Sequence, residues 1–264
     1  MLDRECDAKG FYKDFLASSN GWPIQLIRGN PDCSAFYKWI YAELDKVTKE
    51  WPAKITKDTL TTGRKGNLGE FLSARVAHAS GLSGKKNGYT LALMGALTPH
   101  QDGAPTGLDI TIVHLDPGGD ESKDRLYIME VKTTGAPRLT YANELVKDYK
   151  KLLGKAAVAG SLGQRHNWLM GYLMVVHEFE EDELERVSRL FLPQAKDCKG
   201  IRLLPTLVHD RTVGDSAAIT ALDAVAEKIK KQGWGAKTIE PWSIAIDNLI
   251  NCLVHLSNNG STMP

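Results

Sequence analysis

The stretch that decides the fold is residues 106–135, which read TGLDITIVHL, then DPGGDESKD, then RLYIMEVKTTG. Two apolar runs rich in β-branched residues are separated by nine turn-forming and charged residues, 116–124. This pattern predicts a β-hairpin with a long loop. The second run is apolar on both of its faces, which predicts a strand inside a sheet rather than at its edge.

Three charged residues interrupt these apolar runs: Asp109 at the start of the first, and Glu130 and Lys132 near the end of the second. Because strand side chains alternate between faces, Glu130 and Lys132 point to the same side. Charges on an internal strand are costly unless they are paired or bound to a metal. The pattern therefore indicates either a buried ion network or a metal site.

An aspartate on one strand, followed by glutamate-x-lysine on the next, resembles the core of the PD-(D/E)XK nuclease superfamily. The matching residues are Asp109, Glu130, Val131 and Lys132. The proline of the family pattern is displaced, because Pro105 lies four residues before Asp109. The resemblance covers about residues 62–178 and rests on three short elements in the family's order.

A further similarity lies upstream, in GNLGEFLSARV at residues 66–76. Many members of the superfamily carry an extra glutamate on a helix before the hairpin, and Glu70 fits that role. The apolar spacing predicts this helix over Leu68–Ala79. Asn67 is then a candidate N-cap with Glu70 as its partner in a capping box. Glu70 could serve the cap, the site or both, since a first-turn carboxylate can still face a site.

The resemblance implies an α/β fold with a restriction-endonuclease-like αβββαβ core, a mixed central sheet and added N- and C-terminal helices. It implies an N-terminal helical extension (residues 1–60), a nuclease core (61–180) and a C-terminal strand and helices packed on the core (181–264). The implied activity is a metal-dependent endonuclease that hydrolyses phosphodiester bonds of DNA.

The implied catalytic set is Glu70, Asp109, Glu130 and Lys132. Asp109, Glu130 and the backbone carbonyl of Val131 would bind Mg²⁺ or Mn²⁺, and Glu70 would complete the shell. Carboxylate oxygens suit these hard cations. Lys132 would orient the attacking water and offset charge at the phosphate. The alternative is an Asp–Lys–Glu ion network without activity.

Two lysine-rich segments are candidate contacts for nucleic-acid phosphates. Residues 54–66 are basic and rich in hydroxyls, and include Arg64 and Lys65. The helix predicted after the hairpin has a basic side that consists of Lys147, Lys150, Lys151 and Lys155. A solvated linker and a solvated helix face remain the alternatives for these two segments.

The remaining segments complete the predicted architecture. Residues 22–27 could form a short strand and residues 36–51 a helix, whose aromatic cluster suits a core or an interface. WLMGYLMVVHEF, residues 168–179, reads as a buried strand, the last of the αβββαβ core. Residues 200–208 read as a strand whose Pro205 favours an edge. Residues 215–233 predict an amphipathic helix, and residues 241–256 a terminal helix with a broad apolar face.

Composition limits the functions open to this chain of 264 residues. A net charge of +1 gives no global basic field, so any nucleic-acid contact must come from local patches. The four cysteines are scattered without a C-x-x-C pair, which argues against a zinc site or a disulfide framework and suits a cytoplasmic protein. No apolar run reaches the length of a membrane span, and no signal-peptide core is visible at the N-terminus.

The expected partners follow from the resemblance and from what the sequence lacks. No Walker A motif is present, so any ATP-driven unwinding would need another subunit. A nuclease domain of this size with added ends looks like the nuclease subunits of bacterial anti-phage defence systems such as Hachiman, which act with an ATPase or helicase. The apolar terminal helix also suits a homodimer. The alternatives are a stand-alone type II restriction endonuclease and a non-catalytic nucleic-acid or partner-binding module.

Overall fold

The structure is a computed structural model that describes a large part of the chain, namely residues 24–27, 54–79, 90–94, 109–135, 140, 142–153, 162–176, 178–191, 200–246 and 248–258. These residues form a mixed α/β fold around one six-stranded sheet. No helix in these ranges is long and apolar enough to cross a membrane.

The strands of the sheet are β1 (Ile24–Ile27), β2 (Thr90–Met94), β3 (Ile110–Leu115), β4 (Arg125–Thr134), β5 (Ile201–Asp210) and β6 (Trp242–Ile246). Their spatial order is β1-β6-β5-β4-β3-β2. The first four strands in this order run parallel, and β4, β3 and β2 form an antiparallel meander. The predicted hairpin is therefore confirmed, and β4 is internal as predicted.

In the part of the chain that the structure describes, six α-helices flank the sheet: α1 (Thr62–Ala79), α2 (Ala142–Leu152), α3 (Leu162–Val176), α4 (Glu181–Leu190), α5 (Asp215–Lys231) and α6 (Leu249–Asn258). Apolar residues of α1 and α6 share a core with one face of the sheet. Those of α2 to α5 share a second core with the other face. The sheet thus lies between two helical layers, which explains why its central strands are apolar on both sides.

The chain order around the hairpin is α1, β2, β3, β4, α2 and then β5, with α3 and α4 inserted before β5. Because β5 runs parallel to β4, the chain must cross over one face of the sheet between them. The crossover packs α2 against β4 and β5. This arrangement brings helices to the end of β4 where Glu130 and Lys132 lie.

The prediction of a buried strand at residues 168–179 is wrong, because this segment lies largely in α3 (Leu162–Val176). Leu169 and Leu173, four residues apart, are buried in the second core. A helix that is apolar on most sides shows no clear period, so a short apolar run of this kind fits a buried strand equally well. The strand parallel to β4 is instead β5.

The predicted strand at residues 200–208 is present, but Pro205 is not at a sheet edge. β5 lies between β4 and β6, and Pro205 is paired with Glu130 of β4. The carbonyl of Leu203 accepts from the N–H of Glu240, so the backbone groups of Leu203 point away from β4. Because backbone groups alternate in direction along a strand, those of Pro205 also point away from β4. The ladder with β6 begins only at Thr206, which leaves Pro205 just outside it.

The terminal segment was predicted as one helix, and this prediction is also wrong. Residues 242–246 form β6, and only Leu249–Asn258 are helical. Asn248 between them has a φ of 54°, a left-handed conformation that asparagine tolerates and that separates strand from helix. Trp242 and Ile246 therefore reach the core from a strand, whereas Leu249 and Leu253 reach it from α6.

Two further segments have the predicted secondary structure. The strand within residues 22–27 is β1, and the amphipathic helix predicted over residues 215–233 is α5, which ends before Gly233 with its φ of 100°. The predicted helix over residues 36–51, with its aromatic cluster, lies outside the described residues.

Candidate functional site

The site is built where β3 begins and the ladder between β3 and β4 ends. The last β-ladder pair there is Ile110 with Met129. Continuing this register by one residue puts Asp109 opposite Glu130. The Oδ2 atom of Asp109 accepts a hydrogen bond of 2.6 Å from the N–H of Val131. The Asp109 carboxylate therefore takes the place of a backbone partner at the point where β3 no longer pairs with β4.

Glu70 lies in the middle of α1, so the predicted capping box with Asn67 is wrong. The helix begins at Thr62, and the Thr61 hydroxyl accepts from the N–H of Arg64 at 3.3 Å as a cap does. The basic, hydroxyl-rich segment thus supplies the start of the helix. Because Glu70 does not cap the helix, the burial of most of its carboxyl group needs another explanation.

A close approach between α1 and β4 sets the position of Glu70. A Cβ atom on Gly69 would overlap the Oγ1 atom of Thr133, so only glycine allows this distance between the helix and the strand. Leu68 and Leu72, on the same helix, are buried in the first core. The packing therefore holds Glu70 beside the end of β4 that carries Glu130 and Lys132.

The electrostatics of Glu70 show that the four residues of the predicted catalytic set act on one another. Burial raises the pKa of Glu70 to about 8, with further contributions from the negative charges of Asp109 and Glu130, while Lys132 acts to lower it. At neutral pH, Glu70 therefore holds a proton when no cation is bound. The negative charges of Asp109 and Glu130 thus have a larger effect on Glu70 than the positive charge of Lys132.

The Lys132 side chain is ion-paired with Asp148 of α2, with 2.7 Å between Nζ and Oδ2. Burial acts to lower the pKa of Lys132, but Asp109, Asp148 and Glu130 outweigh it, so the net shift of this pKa is upward. Lys132 therefore stays charged. Its ammonium group lies among carboxylates from both strands of the hairpin and from the helix that follows them.

Asp148 is a site residue that the sequence analysis missed. Burial acts to raise the pKa of its carboxyl, yet the ammonium groups of Lys132 and Lys151 hold this pKa below its usual range. Asp148 Oδ1 lies 2.8 Å from Lys151 Nζ. The signal in the sequence was a lone acid in the lysine-rich run KDYKK, next to the apolar Tyr149.

Tyr149 fixes α2 on the strand that carries the site. Its side chain is fully buried, and its hydroxyl accepts from the N–H of Glu130 at 3.2 Å and donates to the carbonyl of Ile128 at 3.1 Å. Buried polar groups need such partners. The result is a direct link between α2 and the backbone of β4 at Glu130.

The donor set suits a small divalent cation held by few protein ligands. Within the described residues, no three or more His, Cys, Asp or Glu side chains converge closely enough to hold a metal ion together. Magnesium needs fewer protein ligands than this, because one or two carboxylates together with water molecules usually hold it. Asp109 and Glu130 supply such oxygens from facing positions. The negative charges of both residues also act on Glu70, where they add to the effect of burial on its pKa.

The candidate phosphate contacts occupy two places in the structure. Arg64 and Lys65 lie in the first turn of α1, both half-buried, and Arg64 donates to the carbonyl of Thr59 at 3.0 Å. On α2, Lys150 is exposed, Lys147 is paired with Glu144 at 2.7 Å, and Lys151 is paired with Asp148. Lys155 lies outside the described residues.

No protein-family model and no curated protein matches this chain.

Proposed function

We propose that this chain is a metal-dependent DNA endonuclease of the PD-(D/E)XK type. The observation that carries the proposal is the convergence of Glu70, Asp109, Glu130 and Lys132 at the end of one buried strand. Four ionisable groups in mutual interaction, one of them with a pKa raised to about 8, are characteristic of functional sites. The chain order helix, three antiparallel strands, helix, two inserted helices and parallel strand also supports a restriction-endonuclease-like core.

Asp109 and Glu130 are the residues that would hold Mg²⁺ or Mn²⁺, with the Val131 carbonyl and Glu70 beside them. Such an ion supplies a nucleophilic water at neutral pH and stabilises charge on the phosphate. Asp109 is already directed by the N–H of Val131, so its other carboxylate oxygen has a restricted set of orientations. Glu70, protonated without a cation, would lose its proton as positive charge replaces it.

Lys132 would act on the reacting water and phosphate. Its ammonium group remains charged, because three carboxylates outweigh the effect of burial on its pKa. A charged donor fixed in a largely buried site stabilises negative charge that develops on a phosphate oxygen. Its ammonium group is ion-paired with Asp148, a residue from outside the pair of carboxylates that would hold the cation.

The proposed substrate is DNA, and the contacts to its backbone are proposed for the basic residues near the site. Lys147, Lys150 and Lys151 lie on α2, the helix that contributes Asp148 to the site. Because lysines near a duplex release counterions from phosphates, they would supply affinity that falls with salt. A role in anti-phage defence, with an ATPase or helicase subunit, and a homodimer are extensions of the proposal that rest on the resemblance alone.

The test of the proposed function is cleavage of supercoiled plasmid in Mg²⁺ or Mn²⁺, with EDTA as the metal-free control. We expect nicking that requires the metal and is lost in Asp109→Asn and Glu130→Gln, which keep side-chain size. Discrete fragments would favour the alternative of a type II restriction enzyme. If no metal-dependent cleavage occurs, either with or without the neighbouring gene products, the proposed endonuclease activity is contradicted.

One observation favours a second candidate, a non-catalytic binding module on the same fold. Lys132 and Asp148 form an ion pair that a purely structural network would also contain. A module of this kind would bind DNA or a protein partner in the presence of EDTA and cleave nothing. Binding without cleavage, unchanged by Glu130→Gln, is its distinguishing result.

A further inference from the structure

Lys132 is held from outside the hairpin, by a residue of the crossover helix. Its Nζ atom lies 2.7 Å from Oδ2 of Asp148, and both side chains are mostly buried, with 26% and 14% of their surfaces exposed. A lysine side chain has four rotatable bonds and loses much rotamer freedom when its ammonium group is fixed. A partner that fixes the group beforehand removes this entropy cost from the reaction.

The position of Asp148 is itself determined by the packing of α2. The neighbouring Tyr149 is fully buried and its hydroxyl bridges the N–H of Glu130 and the carbonyl of Ile128. Leu145 and Leu152 of the same helix are buried in the second core. The helix therefore has a fixed rotation relative to β4, and this rotation directs Asp148 to Lys132.

The charge of Asp148 is balanced on two sides. Lys132 approaches one oxygen and Lys151 the other, at 2.7 and 2.8 Å. A carboxylate that two ammonium groups already neutralise is a poor ligand for a cation. Asp148 therefore differs from Asp109 and Glu130, whose charges act on Glu70.

We infer that Asp148 is a positioning residue, which holds the Lys132 ammonium group in place for phosphodiester hydrolysis. The inference rests on the proposed nuclease function, because only that reaction gives Lys132 a task. Without Asp148, the carboxylates that remain to attract Lys132 are Asp109 and Glu130. The ammonium group would then be drawn toward the residues that would hold the cation.

The test compares kcat and KM for plasmid cleavage in Mg²⁺ among the wild type, Asp148→Asn and Asp148→Glu. We expect Asp148→Asn to lower kcat by about 10–100-fold, the scale for partners that orient a functional group, with KM little changed. Asp148→Glu should recover part of the loss, because it restores the charge. Glu144→Gln is the matched control, since it removes a carboxylate–lysine pair from the same helix without contacting Lys132, and its kcat should equal that of the wild type.

A double variant separates positioning from a merely structural role. If Asp148 acts through Lys132, Asp148→Asn should cause no further fall in kcat when Lys132 is already methionine. Melting of each variant gives its folded fraction, to which kcat is normalised. An equal further fall in the Lys132→Met background, or an Asp148→Asn kcat like that of the wild type, would overturn the inference while the nuclease stands. No metal-dependent cleavage by the wild type would overturn both proposals.

Discussion

Gly69 of α1 and Thr133 of β4 are in such close contact that residue 69 has no room for a Cβ atom. Gly69 is next to Glu70 in α1, and Thr133 is next to Lys132 in β4. The contact therefore joins the two elements that carry these site residues. The distance between the helix and the strand is therefore set by a glycine. The position of Glu70 relative to Asp109 and Glu130 depends on it.

Gly69→Ala should therefore destabilise the protein, although alanine favours helices. The added methyl must displace Thr133 or the helix, and overpacking of this kind costs about 1–3 kcal/mol in the free energy of unfolding. Gly66→Ala in the same helix is the control, because nothing lies within 4 Å of its Cβ position. It should stabilise the protein by roughly 0.5–1 kcal/mol. Urea unfolding of the two variants measures both effects, and equal stability changes would contradict the close contact.

Asp109→Asn and Asp109→Ala should have the same effect on cleavage and different effects on stability. Both remove the negative charge that would bind the cation, so both should abolish metal-dependent nicking. Only asparagine keeps an oxygen that can accept from the N–H of Val131. Alanine leaves this donor without its acceptor, which costs about 1–3 kcal/mol for a buried group. Thermal melting should rank the wild type and Asn variant above the Ala variant; a reversed order would reject the structural role of Asp109.

The stability of the metal-free protein should fall as pH rises because of Glu70. Its pKa is raised from the ordinary 4.5 to about 8, chiefly by burial. Between these values, the folded state holds a proton that the unfolded state has released, so the free energy of unfolding decreases with pH. The contribution is fully present below the lower value and is lost by the upper one. Glu70→Gln should flatten this dependence in EDTA, as measured by urea unfolding on both sides of the window; parallel curves would show that Glu70 is not responsible.

Changing Lys147, Lys150 and Lys151 to glutamine should weaken DNA binding and reduce its dependence on salt. For each phosphate that the variant no longer neutralises, the slope of log K against log salt becomes shallower by about 0.9. Lys123→Gln is the control, because this exposed lysine lies in the hairpin loop at the other end of β3 and β4. Fluorescence anisotropy at several salt concentrations gives the slopes. An unchanged slope would mean that the lysines of α2 form only a solvated helix face.

The hairpin was predictable from sequence because each of its signals is local. Two β-branched runs and nine loop residues specify it, and the alternation of side chains gives the shared face of Glu130 and Lys132. The position of Asp109 opposite Glu130 follows from the same register. These local rules explain why Asp109, Glu130 and Lys132 were identified together.

The features that sequence did not reveal depend on tertiary packing. Leu169 and Leu173 belong to a helix whose sequence is apolar on several sides, so their segment had no period that separates helix from strand. The pair of Lys132 and Asp148 joins two elements whose relative rotation depends on the buried Tyr149. Nothing in the spacing of these residues gives that rotation. The predicted position of Glu70 in the first turn is wrong because the helix begins earlier, after the Thr61 cap. The sequence hides this start, since glycines follow Thr61 and glycines rarely open a helix.

The most direct test of the central claim, that these residues catalyse metal-dependent phosphodiester hydrolysis, is the cleavage rate of Lys132→Met measured together with its metal affinity. Methionine keeps the bulk of the lysine stem and removes its charge. The proposed mechanism predicts that Mg²⁺ or Mn²⁺ still binds in calorimetry, while cleavage per folded molecule falls by at least roughly 10²-fold. A structural ion network predicts instead a loss of about 3–5 kcal/mol in stability from an unpaired buried charge. Cleavage by the folded fraction at the wild-type rate would contradict the account.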